Sequence, residues 1–284
     1  MAVACAFAGE LPAGEVARAN ESVDQFLAAL RQRQFFDEAL DYLDLVRENR
    51  HVSERVKQQI PYEQALTLIA RSESLANLDA RETQLSKAST LFGQFLAASP
   101  AHDLANSAKV RLATILVDRG RIEIERAKQS SQKDATLAGG RKLFEQALAQ
   151  FDAAGKSLDE QLEKLPKLVA PGDADTAALK VRLAGEVAQA RLMRASVEYE
   201  LAKSFEPTRG EYKKHLKAAA GSYAKIYEAY RTRAAGLWAR LEEGRCYQEM
   251  GDAKQALGCY LELLELPATS DTRAIKTKST RQAL

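Results

Sequence analysis

The chain has 284 residues, of which 41 are basic and 39 acidic, so its formal net charge is only +2. Because the charges nearly balance, no long-range field draws the whole protein onto nucleic acid or an anionic membrane, and we expect no nucleic-acid partner. Ala, Leu, Lys, Arg and Glu make up more than half of the sequence, whereas Gly (15) and Pro (7) are sparse. This composition predicts an all-α fold and excludes β-sandwiches, barrels and parallel sheets, which need β-branched strands.

The first residues resemble the end of a secretory signal peptide. The apolar stretch 2–8 closes with Ala6-Phe7-Ala8, a small-residue step typical of a signal-peptidase site. We therefore interpret 1–15 as a leader-like, disordered N-terminus and expect an exported or periplasmic protein of the bacterial cell envelope. No basic residue precedes the apolar stretch, so a cytoplasmic location is the alternative. Downstream, no segment reaches the roughly 18 apolar residues that a membrane span needs.

Apolar residues recur at three- and four-residue spacing along most of the chain, which indicates amphipathic helices packed on one another. A small Ala, a bulky apolar residue four positions later and a small or apolar residue three beyond it recur at Ala39, Ala88, Ala147, Ala219 and Ala256. Because Ala allows two helices to approach closely, each copy predicts an antiparallel helical hairpin. The predicted helix pairs are 16–33 with 35–49, 62–77 with 80–98, 101–128 with 133–165, 173–205 with 209–230, and 234–250 with 253–266.

The spacing of these hairpins is uneven, and it predicts extended central helices. The segment 166–175 contains two prolines and a glycine, which favours a hinge between N-terminal hairpins at 16–165 and C-terminal hairpins at 176–267. Pro61 suits the first turn of a helix, so we predict that it opens the second pair. The basic tail, 268–284, can form one more helix, either as a cap or as the start of a further hairpin.

The last hairpin carries the most specific pattern. Its first helix contains Gly244 and Tyr247, Gly251-Asp252 marks the turn, and the second helix contains Ala256, Tyr260, Leu263 and Pro267. In these positions the segment 234–267 resembles a tetratricopeptide repeat (TPR), and the chain is similar to irregular bacterial members of that family.

Three features depart from the family pattern. Trp238 lies two positions early, and Glu243 occupies a position that is usually apolar. The first hairpin has Gln34 and Phe35 where the turn glycine belongs.

The resemblance implies an α-solenoid of TPR-like hairpins whose concave groove, lined by the first helices, binds a peptide or a helix of another protein. The family's groove positions correspond here to Trp238, Leu241, Arg245, Gln248, Glu249, Glu21, Asp24, Arg31 and Gln32. Neither hairpin reproduces the Lys/Asn clamp with which some members hold a terminal carboxylate, so that ligand is disfavoured. For Trp238, the single tryptophan, we weigh two roles: an anchor for the partner, or packing against Tyr227 or Tyr230.

The sequence offers no pattern for catalysis, a cofactor or a metal. Its three histidines are far apart, no Cys/His cluster has metal-ligand spacing, and no nucleophile elbow or glycine-rich phosphate loop follows a strand. We therefore expect a non-enzymatic scaffold that binds another protein. Cys246 and Cys259 lie on either side of the turn between the two helices of the last hairpin. We interpret them as small packed residues rather than a disulfide.

One pattern favours a different function. Alternating three- and four-residue steps, close to a coiled-coil seam, connect Leu148, Phe151, Gly155, Leu158, Leu162 and Leu165. The simplest interpretation is that this long helix packs on its hairpin partner. The alternative is a homodimer through the long central helices, which would make the protein a self-assembling structural spacer.

Overall fold

The computed structural model of the chain describes residues 13–170, 172–267 and 270–283. Residues 1–12, most of the predicted leader, lie outside this part. Over the described ranges the chain forms eleven α-helices and no strand, which confirms the all-α prediction. The helices are α1 (Ala13–Gln32), α2 (Phe36–Glu48), α3 (Glu54–Ser74), α4 (Leu78–Ala98), α5 (Ala105–Ala127), α6 (Lys133–Glu163), α7 (Ala174–Lys203), α8 (Gly210–Ala229), α9 (Ala234–Met250), α10 (Ala253–Glu265) and α11 (Ser270–Ala283).

The chain divides into two compact units, Met1–His102 and Asp103–Leu284. The first contains α1 to α4 and the second α5 to α11. In both units each helix packs mainly on the helices that precede and follow it in the chain, which is the arrangement of an α-solenoid of antiparallel hairpins. None of the helices in the described ranges combines the length and apolarity needed to cross a membrane.

The core of the first unit begins where α1, α2 and α3 meet. Leu27 of α1, Leu43 of α2 and Ile60 of α3 are buried together in one apolar cluster. Between α3 and α4, the ring of Tyr62 packs against Phe92 and Phe95, with centroid distances of 5.4 and 5.5 Å. Apolar side chains at helical spacing therefore join both hairpins into one unit.

The predicted start of α3 is wrong, because Pro61 lies inside this helix and not in its first turn. The helix begins at Glu54, where the Ser53 hydroxyl accepts a hydrogen bond from the N–H of Val56. Val56 and Ile60 are buried in the cluster with α1 and α2. Burial of these side chains and the Ser53 cap stabilise the additional turns, although the proline removes a backbone hydrogen bond.

The core of the second unit is largest where the long helices α6 and α7 pack with α5. Phe151 and Leu158 of the coiled-coil-like seam are buried there, and Leu148, Leu162 and Leu165 pack against the same cluster. The seam thus faces the chain's own hairpin partner, as the simpler interpretation predicts. The segment 166–175 connects α6 to α7 within this unit, whose boundary is at 102/103. Hinge motion at 166–175 stays a prediction.

The turn between α9 and α10 has the geometry that its sequence predicts. Gly251 ends α9 in the left-handed conformation, with φ +82°, and Asp252 caps α10 by accepting a 3.1 Å hydrogen bond from the N–H of Gln255. In the first hairpin, Gln34 replaces glycine and nevertheless adopts φ +63°. The first hairpin therefore keeps a left-handed residue in its turn at some conformational cost.

Candidate protein-binding face

The first helices of the hairpins form one continuous surface in the second unit. α5 packs on α7, α7 on α9 and α9 on α11, whereas no comparable packing joins the second helices α6, α8 and α10 to one another. The first helices are therefore joined along the unit by direct packing, whereas the second helices are not. We call the surface lined by α7, α9 and α11 the inner face.

Clefts on the opposite side show the same difference in spacing. One cleft of about 350 Å³ separates α6 from α8, with Arg191 and Arg194 of α7 in its lining. A second of about 510 Å³ separates α8 from α10, with Arg240 of α9 in its lining. Residues of the first helices α7 and α9 therefore line the clefts between the second helices. The surface formed by α6, α8 and α10 is interrupted by these clefts, whereas the inner face is continuous.

Glu249, a predicted groove residue, connects three helices of the second unit. Its carboxylate accepts hydrogen bonds from Tyr199 (3.1 Å) and Lys203 (3.0 Å) of α7 and from Tyr212 (2.7 Å) of α8. Burial alone raises the pKa of Glu249, but the hydrogen bonds from Tyr212 and Lys203 and the charge of Lys203 outweigh burial and hold the pKa below its ordinary value. The side chain fixes the junction between α7 and α9 on the inner face.

Arg245 and Gln248 are the exposed members of the predicted set on α9. The guanidinium of Arg245 lies 5.1 Å from the centroid of the Tyr199 ring and 3.5 Å from the Glu242 carboxylate. The amide oxygen of Gln248 accepts a 3.0 Å hydrogen bond from the hydroxyl of Tyr260. Both side chains are oriented by neighbours and still accessible, which suits contact with a partner.

Leu241 and Trp238 pack more deeply than groove residues would. Leu241 is 3% exposed and belongs to the cluster that includes Ile275 of α11. Trp238 is partly buried against that cluster, as is Tyr227, and the Nζ atom of Lys278 lies 4.3 Å from its ring centroid. Trp238 therefore packs on this cluster, and its role as an anchor for a partner stays a prediction. α11 covers part of the surface that the resemblance assigns to a ligand.

The predicted groove residues of the first hairpin lie on α1, in the other unit. Arg31 donates a 2.7 Å hydrogen bond to the buried carboxylate of Glu63 on α3, so the two first helices of this unit are also joined by an ion pair. Asp24 and Gln32 are exposed. Glu21 is in α1, but its side chain lies outside the part that the structure describes.

Several residues of the inner face were not predicted. Tyr199 and Lys203 lie on α7, and Lys278 and Arg281 lie on α11. The basic residues of α11 belong to the basic tail, 268–284, for which the sequence predicts a further helix but no binding role. Their place beside α9 depends on the rotation of α11, which Ile275 and Ser279 set by being buried.

The two cysteine thiols of the second unit are buried away from solvent. Cys246 and Cys259 are free and buried, and burial raises the pKa of each thiol to about 12. Among the residues that the structure describes, no three His, Cys, Asp or Glu side chains are grouped to hold a metal ion. The inner face offers hydrogen-bonding and aromatic groups, which can bind a polypeptide.

No protein-family model matches the sequence, and no curated protein matches it. The solved structures that match the chain include the following two. "Assembly Chaperone of RpL4 (Acl4) (Residues 1-338)" is 12% identical, with a TM-score of 0.39 and coverage of 93% of this chain and 96% of that chain. A chain from "Computational Design of Self-Assembling Cyclic Protein Homooligomers" is 12% identical, with a TM-score of 0.31 and coverage of 93% and 95%. Likenesses at this level say nothing of function.

Proposed function

We propose that the chain is a non-catalytic, TPR-like scaffold that binds an extended segment of another protein along the inner face. The observation that supports this is the direct packing of α7 on α9 and of α9 on α11, which places their side chains on one continuous surface. An extended segment can contact consecutive helices of such a surface at once, and many weak contacts then add up to useful affinity.

The side chains on this face support a binding role over a catalytic one. Arg245 and Gln248 present exposed hydrogen-bonding groups, while Glu249 and its partners keep α7 and α9 in fixed register. The two described thiols are buried with raised pKa values, so little thiolate forms near neutral pH.

An envelope location is part of the proposal and rests on the apolar stretch 2–8 and the small-residue step that ends it. Fractionation of bacteria that express the chain with a C-terminal tag tests it. Recovery of the tagged protein in the periplasm supports export, and recovery in the cytoplasm alone overturns this part while leaving the scaffold role intact.

The alternative, a self-assembling spacer, would need a surface other than the long-helix seam, since Phe151 and Leu158 are buried within the chain. Light scattering separates the two functions. The scaffold is expected to have the mass of one chain, whereas the spacer would have the mass of a dimer or larger assembly.

Affinity capture with an inner-face variant tests the scaffold role. Arg245→Glu reverses an exposed charge on the inner face, and Lys217→Glu makes the same change on α8 as a matched control. We expect a partner that the wild type and Lys217→Glu retain equally and that Arg245→Glu loses. If all three baits recover the same proteins in equal amounts, the inner face is not the binding surface.

A further inference from the structure

A notch opens on the inner face between α9 and α11. Its volume is about 240 Å³, and its lining consists of Leu241, Glu242, Arg245, Lys278, Arg281 and Gln282. Leu241 forms the apolar floor of the notch, and only 3% of the residue is exposed because its side chain is packed into the cluster below. Three cations and one carboxylate surround this floor.

The charges of the notch differ from those at the other two junctions between first helices. Arg121 of α5 pairs with Glu200 of α7 at 2.8 Å, and Lys203 of α7 pairs with Glu249 of α9 at 3.0 Å. Each of those junctions therefore closes with an ion pair between helices. At the junction of α9 and α11, Lys278 and Arg281 make no ion pair with any described side chain.

The one acidic side chain in the notch is already engaged. Glu242 lies 3.5 Å from the Arg245 guanidinium and is on the same helix. Lys278 rests over the Trp238 ring, a contact that positions its ammonium without neutralising its charge. The notch consequently keeps an excess of positive charge beside an apolar floor, in a chain whose total charge is close to zero.

We propose that this notch binds an acidic segment of a partner protein, in which Glu or Asp side chains pair with Lys278 and Arg281. The inference rests on the proposed function, because it specifies the chemistry of the segment that the inner face holds. A nucleic acid fits less well, since the face of Trp238 on which a base would stack is covered by Lys278.

The single tryptophan reports on the notch directly. The test titrates the full chain with a short acetylated and amidated peptide of alternating Glu and Leu, while the emission of Trp238 is followed. The control peptide carries Gln in place of Glu. We expect a saturable change in emission for the acidic peptide, at least about tenfold weaker binding for the neutral peptide, and loss of binding as salt is raised toward about 1 M.

Charge-reversal variants locate the site. Lys278→Glu with Arg281→Glu should weaken binding of the acidic peptide about tenfold or more. The matched control, Arg273→Glu with Lys217→Glu, changes the net charge equally at exposed positions outside the notch and should bind as the wild type does. Unchanged helicity by circular dichroism and an unchanged melting temperature show that the variants remain folded.

Each result has a distinct meaning. Equal binding of the neutral peptide, or equal weakening by both double variants, overturns the acidic specificity of the notch. Binding of a short oligonucleotide in preference to the acidic peptide overturns it as well. If the peptides fail but Arg245→Glu still loses a captured partner, the notch inference is wrong and the scaffold stands. If no partner is lost in that capture, the proposed function itself fails.

Discussion

The hydroxyl of Tyr212 donates a 2.7 Å hydrogen bond to the carboxylate of Glu249 and so ties the start of α8 to the end of α9. Lys203 reaches the same carboxylate from α7. The Glu249 carboxylate therefore joins α7, α8 and α9 at the inner face, which we propose as the binding face. Its charge state should influence the stability of the whole second unit.

Acidification should weaken this junction. The pKa of Glu249 is lower in the folded chain than its ordinary value of 4.5, so its contribution to stability is complete above that value and is lost as the pH falls through the folded pKa. We expect Glu249→Gln to lower the free energy of unfolding by about 1 kcal/mol at neutral pH, with a smaller loss at low pH. Thermal unfolding of wild type and variant across this range measures the difference.

Glu265→Gln is the matched control for that experiment, because Glu265 is exposed on α10 and makes no ion pair with any described side chain. Its melting temperature should follow that of the wild type at every pH. A loss for Glu249→Gln that stays constant down to the lowest pH would contradict the proposed role of the charge.

Glycine should be more stable than the native Gln34 in the turn of the first hairpin. Gln34 has φ +63°, a conformation that costs a side-chain-bearing residue about 1–2 kcal/mol, although glycine loses more chain entropy on folding. We expect Gln34→Gly to stabilise the first unit by about 0.5–1 kcal/mol. Chemical denaturation measures this, and Gln34→Ala, which keeps a Cβ, should give no gain. A destabilised glycine variant would show that the Gln34 side chain makes a contribution beyond the turn.

Glu243, the acidic residue that departs from the TPR pattern, should be tolerated in the core only while Arg240 pairs with it. Glu243 is 3% exposed, and its carboxylate accepts a 2.8 Å hydrogen bond from Arg240, which also pairs with Glu262. Burial raises the pKa of Glu243, and the Arg240 charge opposes that shift. Arg240→Met leaves the carboxylate buried and unpaired, so we expect a loss of about 3 kcal/mol at neutral pH.

The loss from Arg240→Met should shrink as the pH falls, because protonation removes the unpaired charge. The double variant Arg240→Met with Glu243→Leu should recover most of the stability, since an apolar pair of similar volume replaces the ions. Urea denaturation of the wild type, both single variants and the double variant gives the coupling free energy. Additive losses would mean that the pair is not coupled.

The buried thiols should react only when the chain opens. Because burial raises the pKa of Cys246 and of Cys259 to about 12, we expect slow labelling by a thiol reagent in native buffer and fast labelling in denaturant. The measurement uses a Cys5→Ser background so that only these two thiols remain. Rapid native labelling of either thiol would indicate local opening of α9 or α10.

Most of the fold follows from the sequence, because the apolar spacing and the small alanines determine where each hairpin forms. The start of α3 did not follow, since Pro61 suggests a first turn and only the burial of Val56 and Ile60 shows that the helix extends before it. Helix limits elsewhere are close to the predicted ones, and the turn at Gly251 is of the predicted kind.

The candidate site follows less completely. Arg245 and Glu249 lie on the same side of α9, and their role in binding stays a prediction. The partners of Glu249 come from α7 and α8, and no spacing along the chain encodes that approach. Leu241 was predicted to face a ligand and is instead covered, because α11 packs on α9. Residue positions on a helix can be predicted from sequence, whereas the rotation of one helix against the next depends on the packed side chains.

Packing between helices that follow one another in the chain also has a consequence for synthesis. Since each hairpin buries its apolar residues against its immediate neighbours, a newly made hairpin can find its contacts soon after it leaves the ribosome. Met1–His102 can complete its own core before α11 has been translated. The helix that closes the proposed notch is therefore added only after α7 and α9 have been made and can already pack on each other.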